Sequence, residues 1–126
     1  MKYQIYQIRI TKAQRDLINR EGHDSVPAHV LQMDMGIAGF GNTDNIEDMA
    51  LEGIRKGYYT HVSNITAEDL NGVFRTGNIG PEENIERLAS MHSVSVGDII
   101  KDESGDSWVV ASFGFEFVGS RLRVVA

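Results

Sequence analysis

Cysteine is absent from the 126 residues of this chain, and no apolar run approaches the roughly 20 residues that span a bilayer. Without cysteine there is no disulfide framework, no thiol nucleophile and no thiolate metal ligand. Residues 1–10 alternate polar and apolar side chains instead of forming a continuous apolar stretch, so we expect no signal peptide. These absences favour a reducing compartment, and we expect the cytoplasm of a bacterial host.

Basic residues are also few. The formal net charge is −6, from 12 Lys and Arg against 18 Asp and Glu. Residues 44–106 contain 13 of the acids and 5 of the bases, so the middle of the chain carries a net charge of −8. An acidic surface repels nucleic-acid phosphates. It is either a solvated surface or one that attracts a basic partner, such as a nucleic-acid-binding protein.

The first half of the chain mixes strand and helix signals. Alternation over residues 2–10 predicts a strand with one buried face, which places Gln7 on the polar face. Thr11 and Gln14 have the spacing of a capping box, so a helix begins there, and Gly22 is placed to end it. Residues 26–33 fit either a strand or a short helix beginning at Pro27.

Glycine recurs at residues 36–41, which predicts a mobile loop that could order on a partner. Helical spacing of apolar residues then predicts helices at 44–56, from Thr66 and from Pro81, with a strand at 58–65 between the first two. The inner stripes of the last two helices are predicted to be Leu70, Val73 and Phe74, and Ile85, Leu88 and Ala89.

The last third of the chain is predicted to be β, with strands at 99–101, 108–113, 115–118 and 122–125. Residues 103–106 fit a hairpin turn, and Gly114 fits a bulge or sharp bend. We therefore expect one α+β domain over residues 1–126, with three to four helices packed on a small antiparallel or mixed sheet and a β-rich module at 91–126.

Residues that could carry catalysis are scattered. The four histidines have no metal-ligand spacing, and Glu82, Glu83 and Glu86 fit the first turn of a helix better than a glycosidase pair. Ser93 and Ser95 would share one face of an extended segment while His92 points to the other, which argues against a nucleophilic serine. Asp98 fits a turn that fixes the start of the sheet. We predict no catalytic residues, metal or cofactor.

Aromatic residues recur at Trp108, Phe113, Phe115 and Phe117. Aromatic side chains on a sheet can stack nucleic-acid bases. Since no Lys or Arg lies between residues 108 and 118, packing in the core is the favoured interpretation.

The segment Met91-His92-Ser93-Val94-Ser95-Val96-Gly97-Asp98-Ile99-Ile100, followed by Trp108-Val109-Val110 and Phe113-Gly114-Phe115, resembles the YodL-like domain of small phage and mobile-element proteins. The opening Tyr3-Gln4-Ile5-Tyr6-Gln7-Ile8 is similar to the start of the same proteins. The resemblance covers about the first ten and the last thirty-five residues, and it implies a phage or mobile-element setting. It brings no activity and no catalytic residues with it.

These observations favour a non-enzymatic, phage-encoded protein that binds and inhibits a host factor, such as a defence or nucleic-acid-processing protein. The predicted contact surface combines acids with the glycine-rich segment: Asp44, Glu47, Asp48, Glu82, Glu83, Glu86, Gly36, Gly39, Phe40 and Gly41.

Three alternatives stay open. A small-barrel nucleic-acid-binding module would gather Arg9, Arg15, Arg121 and Arg123 into one basic patch. An enzyme acting on a small molecule would use His61 or His92 as its base. A homodimer would pair apolar strands from the two ends of the chain at an uncovered sheet edge.

Overall fold

The computed structural model describes residues 1–41 and 45–124. The α-helices in these ranges are α1 (Lys12–Glu21), α2 (Pro27–Gly41), α3 (Ile46–Arg55) and α4 (Leu70–Asn78). The strands are β1 (Lys2–Ile8), β2 (Tyr59–Thr66), β3 (Ile85–Arg87), β4 (Ile99–Lys101), β5 (Asp106–Val110) and β6 (Phe115–Ser120). Short 3₁₀ turns occupy His23–Ser25 and Glu82–Asn84.

The six strands form one sheet in the order β3-β2-β1-β4-β5-β6. Every neighbouring pair is antiparallel, so the expected α+β fold is confirmed and its sheet is antiparallel throughout. The amino-terminal strand β1 lies in the middle, while β3 and β6 are the two edges. The carboxy-terminal module is joined to the rest of the fold because β4 pairs with β1.

Both faces of the sheet are covered, which divides the core in two. Helices α2 and α3 pack on one face, where Met35 and Ile46 meet Ile8 and Ile99. Helix α4 and the segment before β4 cover the other face, where buried residues include Tyr3, Ile5, Val73, Val94 and Val110. We refer to these as the α2/α3 face and the α4 face. Strand β1 therefore has two buried faces, and the prediction of a single buried face was wrong.

Capping residues set the ends of α1 and α4 by satisfying backbone groups that have no partner within the helix. Thr11 accepts a hydrogen bond from the Gln14 backbone, and the Gln14 side chain accepts one from the Thr11 backbone, which confirms the predicted capping box. Gly22 ends α1 with φ +105°, a conformation that favours glycine. For α4 the cap is Asp69 and not Thr66, since the Asp69 carboxylate accepts from the Gly72 N–H at 2.7 Å.

The predicted loop at Gly36–Gly41 is wrong, because α2 begins at Pro27 and continues through Gly36, Gly39, Phe40 and Gly41. Each glycine costs a helix about 1 kcal/mol relative to alanine. Tertiary packing offsets this cost, since Leu31 and Met35 of α2 are buried in the core of the α2/α3 face.

Three predictions in the second half of the chain are also wrong. Residues 81–89 form a 3₁₀ turn and then β3, which pairs with β2, and Leu88 is exposed. In α4, Val73 is buried as expected, but Phe74 is exposed. Residues 121–124 contain no strand. The spacing of Ile85, Leu88 and Ala89 suits a helix, but backbone pairing with β2 decides the outcome.

Two helical glycines, Gly36 in α2 and Gly77 in α4, are predicted to respond in opposite ways to replacement by alanine. Gly36 has no heavy atom within 4 Å of the position where a Cβ would lie, whereas a Cβ on Gly77 of α4 would collide with the Val94 side chain. We expect Gly36→Ala to raise the free energy of unfolding by up to about 1 kcal/mol. Gly77→Ala should lower it by about 1–3 kcal/mol through overpacking. Urea unfolding measures both, and a stabilised Gly77→Ala or a strongly destabilised Gly36→Ala would contradict the structure.

Candidate functional site

A buried glutamine ties the segment before β4 to the centre of the sheet. Gln7 of β1 is fully buried on the α4 face. Its Nε2 donates to the His92 carbonyl at 2.9 Å and to Asp98 Oδ2 at 3.0 Å, and its Oε1 accepts from the His92 N–H at 3.1 Å. A buried amide is stable only when its polar atoms are satisfied. Gln7 therefore anchors residues 92–98 against the sheet, a role that its predicted place on a polar outer face did not suggest.

Asp98 is the second member of this buried polar cluster. Its Oδ2 accepts from the Ser95 backbone N–H at 2.9 Å as well as from Gln7, so the turn predicted at Asp98 is present. Burial raises the pKa of Asp98 to about 8, against the opposing effects of these hydrogen bonds and of the positive charge of Arg9. At neutral pH this carboxyl group is mostly protonated.

Tyr59 closes the same region from the α2/α3 face. Its hydroxyl group donates to the Gly97 carbonyl at 2.6 Å. Burial is the main cause, and the nearby Asp98 a smaller one, of the rise in the pKa of Tyr59 well above its usual value. The phenol thus remains a hydrogen-bond donor and serves to hold the turn.

His92 borders this cluster, and its geometry suits a structural role. Its Nδ1 lies 2.7 Å from the Ser93 carbonyl, which can only accept, so Nδ1 carries the proton. The same nitrogen is 4.0 Å from Asp98 Oδ2, which is beyond hydrogen-bond distance. Ser95 Oγ donates to the Ser93 carbonyl at 2.7 Å. His92 and Asp98 therefore lie near each other. In the ranges that the structure describes, no serine hydroxyl group donates to a ring nitrogen of His92, as a nucleophilic serine would.

His61 belongs to a separate network across β1, β2 and β3. Its ring stacks on Tyr6 with centroids 4.9 Å apart, and its Nε2 lies 2.9 Å from Asn64 Oδ1. Asn64 Nδ2 in turn donates to Glu86 Oε1 at 2.7 Å. This chain of contacts links three neighbouring strands. Among the described residues, no group of three or more His, Asp and Glu side chains is placed to hold a metal ion.

Of the four aromatic residues of the carboxy-terminal module that were expected to pack in the core, Phe115 packs against it and Trp108 is half-buried, whereas Phe113 and Phe117 are exposed. Trp108 and Phe117 are directly paired across β5 and β6, with ring centroids 5.2 Å apart in an edge-on arrangement. Phe115 lies two residues before Phe117 on the same side of β6. Phe113 is at the tip of this hairpin, next to Gly114, whose φ of +83° makes the predicted sharp bend.

Helix α4 adds a fifth aromatic residue. Phe74 and Phe115 line a cleft of about 130 Å³ where α4 meets the β5–β6 hairpin. Phe74 is 39% exposed, Phe117 47% and Phe113 92%. We call the group Phe74, Trp108, Phe113, Phe115 and Phe117 the aromatic surface. A ring contact joins Trp108 to Phe117, and the cleft joins Phe74 to Phe115. Exposed aromatic groups of this kind mark interaction sites in soluble domains.

The acids predicted to form one contact surface are divided between the two edges of the sheet. Glu47 and Asp48 lie in the first turn of α3, which packs on β5 and β6. Glu82 and Glu83 lie in a 3₁₀ turn and Glu86 on β3, the opposite edge. The predicted helical turn carrying all three of these acids is wrong. Asp44 lies outside the described residues.

Some of these acids are engaged within the chain. Glu82 accepts from Arg87 Nε at 2.6 Å and from Nη2 at 3.1 Å, and this bond lowers the pKa of Glu82. Glu86 accepts from Asn64 and lies 3.9 Å from Lys2 Nζ. Both pairs are exposed, so each contributes little to stability. They nonetheless reduce the free negative charge at the β3 edge.

The four arginines expected to form one basic patch in a nucleic-acid-binding barrel are spread over different parts of the fold. The sheet is open, with β3 and β6 at its edges. Arg9 follows β1 and donates to Ser90, whereas Arg121 follows β6. Because β1 and β6 run in opposite directions, these two residues lie at opposite ends of the sheet. Arg15 is on α1, and Arg123 lies in the segment after β6.

Comparison with protein-family models, with curated proteins and with solved structures gives no match. None of the helices described combines the length and the apolar character that crossing a bilayer requires. Within the described part of the chain, the aromatic surface is the feature whose exposure most needs a functional explanation.

The raised pKa of Asp98 predicts a pH dependence of stability. Between about pH 4 and pH 8 the unfolded chain has released this proton and the folded chain retains it, so stability falls as the pH rises, by at most about 1.4 kcal/mol per pH unit. Asp98→Asn keeps an acceptor oxygen but cannot ionise. We expect the variant to gain stability relative to the wild type from pH 5 to pH 8, as measured by urea unfolding. Parallel curves for the two proteins would contradict this.

Proposed function

We propose that this chain acts by binding a protein partner, without catalysing a reaction, and that the aromatic surface is its main contact. The observation that carries the proposal is the exposure of Phe74 and Phe117 on the α4 face, together with that of Phe113 at the tip of the β5–β6 hairpin. Exposing aromatic side chains to water is unfavourable, and buried aromatic residues dominate the energetics of protein interfaces.

The remaining chemistry of the chain supports binding over catalysis. The buried side chains that could transfer a proton, Asp98 and Tyr59, are held in hydrogen bonds that fix the turn before β4. His61 and His92 take part in contacts that link strands and loops. Asp98, Tyr59 and His61 each have a structural partner, and His92 has one at Nδ1, while its Nε2 is buried without a hydrogen-bond partner among the described residues.

The net charge of the chain would accelerate association with a basic partner. The net charge of −6 attracts a basic partner over distances of about a Debye length. Of the predicted acids, Glu47 and Asp48 lie on α3, the helix that packs beside β6. Since α3 lies on the α2/α3 face and the aromatic surface on the α4 face, these two acids would add to the long-range attraction and not to the contact itself.

The setting of this binding comes from the resemblance to the YodL-like domain. On that basis we propose a phage-encoded protein that acts in the cytoplasm of its bacterial host. The partner would be a host factor, such as a defence or nucleic-acid-processing protein, that is inhibited when bound.

The test is affinity capture from host lysate with matched surface variants. Phe113→Ser combined with Phe117→Ser removes two aromatic contacts, and we expect it to weaken capture of the specific partner at least about 30-fold. Ile79→Ser combined with Leu88→Ser is the control, because these residues are 84% and 52% exposed but lie toward the β3 edge. The control should retain the partner.

Two results would argue against the proposal. In one, the control loses the partner as completely as the aromatic variant does. In the other, the wild type retains no host protein at low salt or at high salt.

A further inference from the structure

Strand β6 has only one neighbour in the sheet. It pairs with β5, and the strand order ends there, so no strand among residues 1–41 and 45–124 lies on its outer side. An edge strand of six residues offers a row of backbone donors and acceptors to another chain. The question is what kind of strand this edge can accept.

The hydrogen bonds of the hairpin determine which backbone groups face outward. The Ala111 N–H donates to the Gly114 carbonyl at 3.0 Å, and bonded and non-bonded pairs alternate along an antiparallel ladder. The pair Val109–Glu116 is therefore bonded, and the pair Trp108–Phe117 is not. It follows that the N–H and C=O groups of Phe115 and Phe117 point away from β5, toward solvent.

The side chains of β6 alternate between the two faces. Phe115 and Phe117 lie on the α4 face as part of the aromatic surface. Glu116 lies between them on the opposite face, as does Val118, which packs against the core there. Glu116 is the only charged residue of β6. The edge thus presents an acid flanked by two aromatic residues, with the backbone of both aromatic residues free to pair.

A second copy of the chain fits this edge poorly. The two-fold register that uses both outward-facing residues pairs Phe115 of each copy with Phe117 of the other. That register sets Glu116 directly opposite the same glutamate of the second copy, at the close spacing of a non-bonded pair. Like charges directly opposite each other destabilise a sheet. Glu116 therefore disfavours the homodimer and favours an opposing residue of positive charge.

We propose that β6 receives an antiparallel strand of the partner that carries Lys or Arg opposite Glu116 and apolar side chains on either side of it. This deepens the proposed function and rests on it. The partner strand would form main-chain hydrogen bonds with Phe115 and Phe117, as in other cases of strand addition. Its two apolar side chains would cover the rings of those residues, and its basic side chain would meet Glu116 on the opposite face.

The proposed preference for a basic residue opposite Glu116 is tested with two synthetic peptides. One fluorescent peptide has Val-Lys-Val at its centre with serine and threonine flanks, and the other has Val-Glu-Val in the same frame. Fluorescence anisotropy should give about 3- to 10-fold tighter binding of the lysine peptide. Glu116→Lys should reverse that preference. Equal affinities for the two peptides, no binding of the lysine peptide, or an unchanged preference in Glu116→Lys would overturn the proposal.

The proposed main-chain hydrogen bonds to the partner strand are tested at Phe117. Phe117→Pro removes the outward N–H without removing a bond to β5, and proline is tolerated at such a position on an edge strand. Phe117→Thr loses the ring equally but keeps the N–H, and it is the matched control. We expect the proline variant to bind the lysine peptide at least about 5-fold more weakly than the threonine variant. Equal binding by the two variants would contradict strand addition, provided that amide exchange shows β5 intact in both.

The two proposals fail in different ways. If the aromatic variants lose the host partner while the peptides show no charge or backbone preference, the aromatic surface binds its partner but not by strand addition. If the wild type self-associates with protection of the Phe115 and Phe117 amides, the occupant is a second copy, and the proposal of a basic partner strand is overturned.

Discussion

The hydrogen bonds of Gln7 hold this structure together at the point where its two halves meet. Gln7 lies on the central strand β1 and binds His92 and Asp98, which precede β4. That anchor holds the segment carrying Val94, whose side chain fits against Gly77 of α4. The cover of the α4 face therefore depends on this buried amide and on Asn78 of α4, whose Nδ2 donates to the Val94 carbonyl at 3.0 Å. Removing a partner from such a buried network costs more than an exposed bond would.

The extent of this cover explains why the aromatic surface is open. Helix α4 and residues 92–98 lie over the centre of the sheet, where Ile5, Ile65 and Ile100 are buried. The cover thins toward the edge, so Phe117 and the hairpin tip at Phe113 remain exposed. A fold with one sheet and unequal cover on its two faces thus produces both a stable centre and an apolar edge.

Local signals in the sequence predicted much of the architecture. The capping box of Thr11, the first strand and the hairpin turn before β5 depend on neighbouring residues. They are confirmed, although the strand predicted over residues 2–10 ends at Ile8. Residues 36–41 and 81–89 were mispredicted because tertiary packing and strand pairing override local propensity there.

The candidate site was harder to predict than the fold. Gln7 and Asp98 are 91 residues apart, and nothing local indicates that they meet. The exposure of Phe113 and Phe117 depends on which elements cover β6, which composition does not reveal. The alternation Phe115, Glu116, Phe117 was a visible signal of an edge strand with one aromatic face. It could be interpreted only once the strand order was known.

The proposed contact places the hairpin tip of the aromatic surface directly against the partner. The most direct measurement places a photoreactive phenylalanine analogue at position 113 and, in a separate protein, at position 88. After illumination in host lysate, mass spectrometry identifies what is attached to each. We expect a single abundant host protein to be cross-linked from position 113 and not from position 88. Cross-linking of that protein from position 88 alone would contradict it.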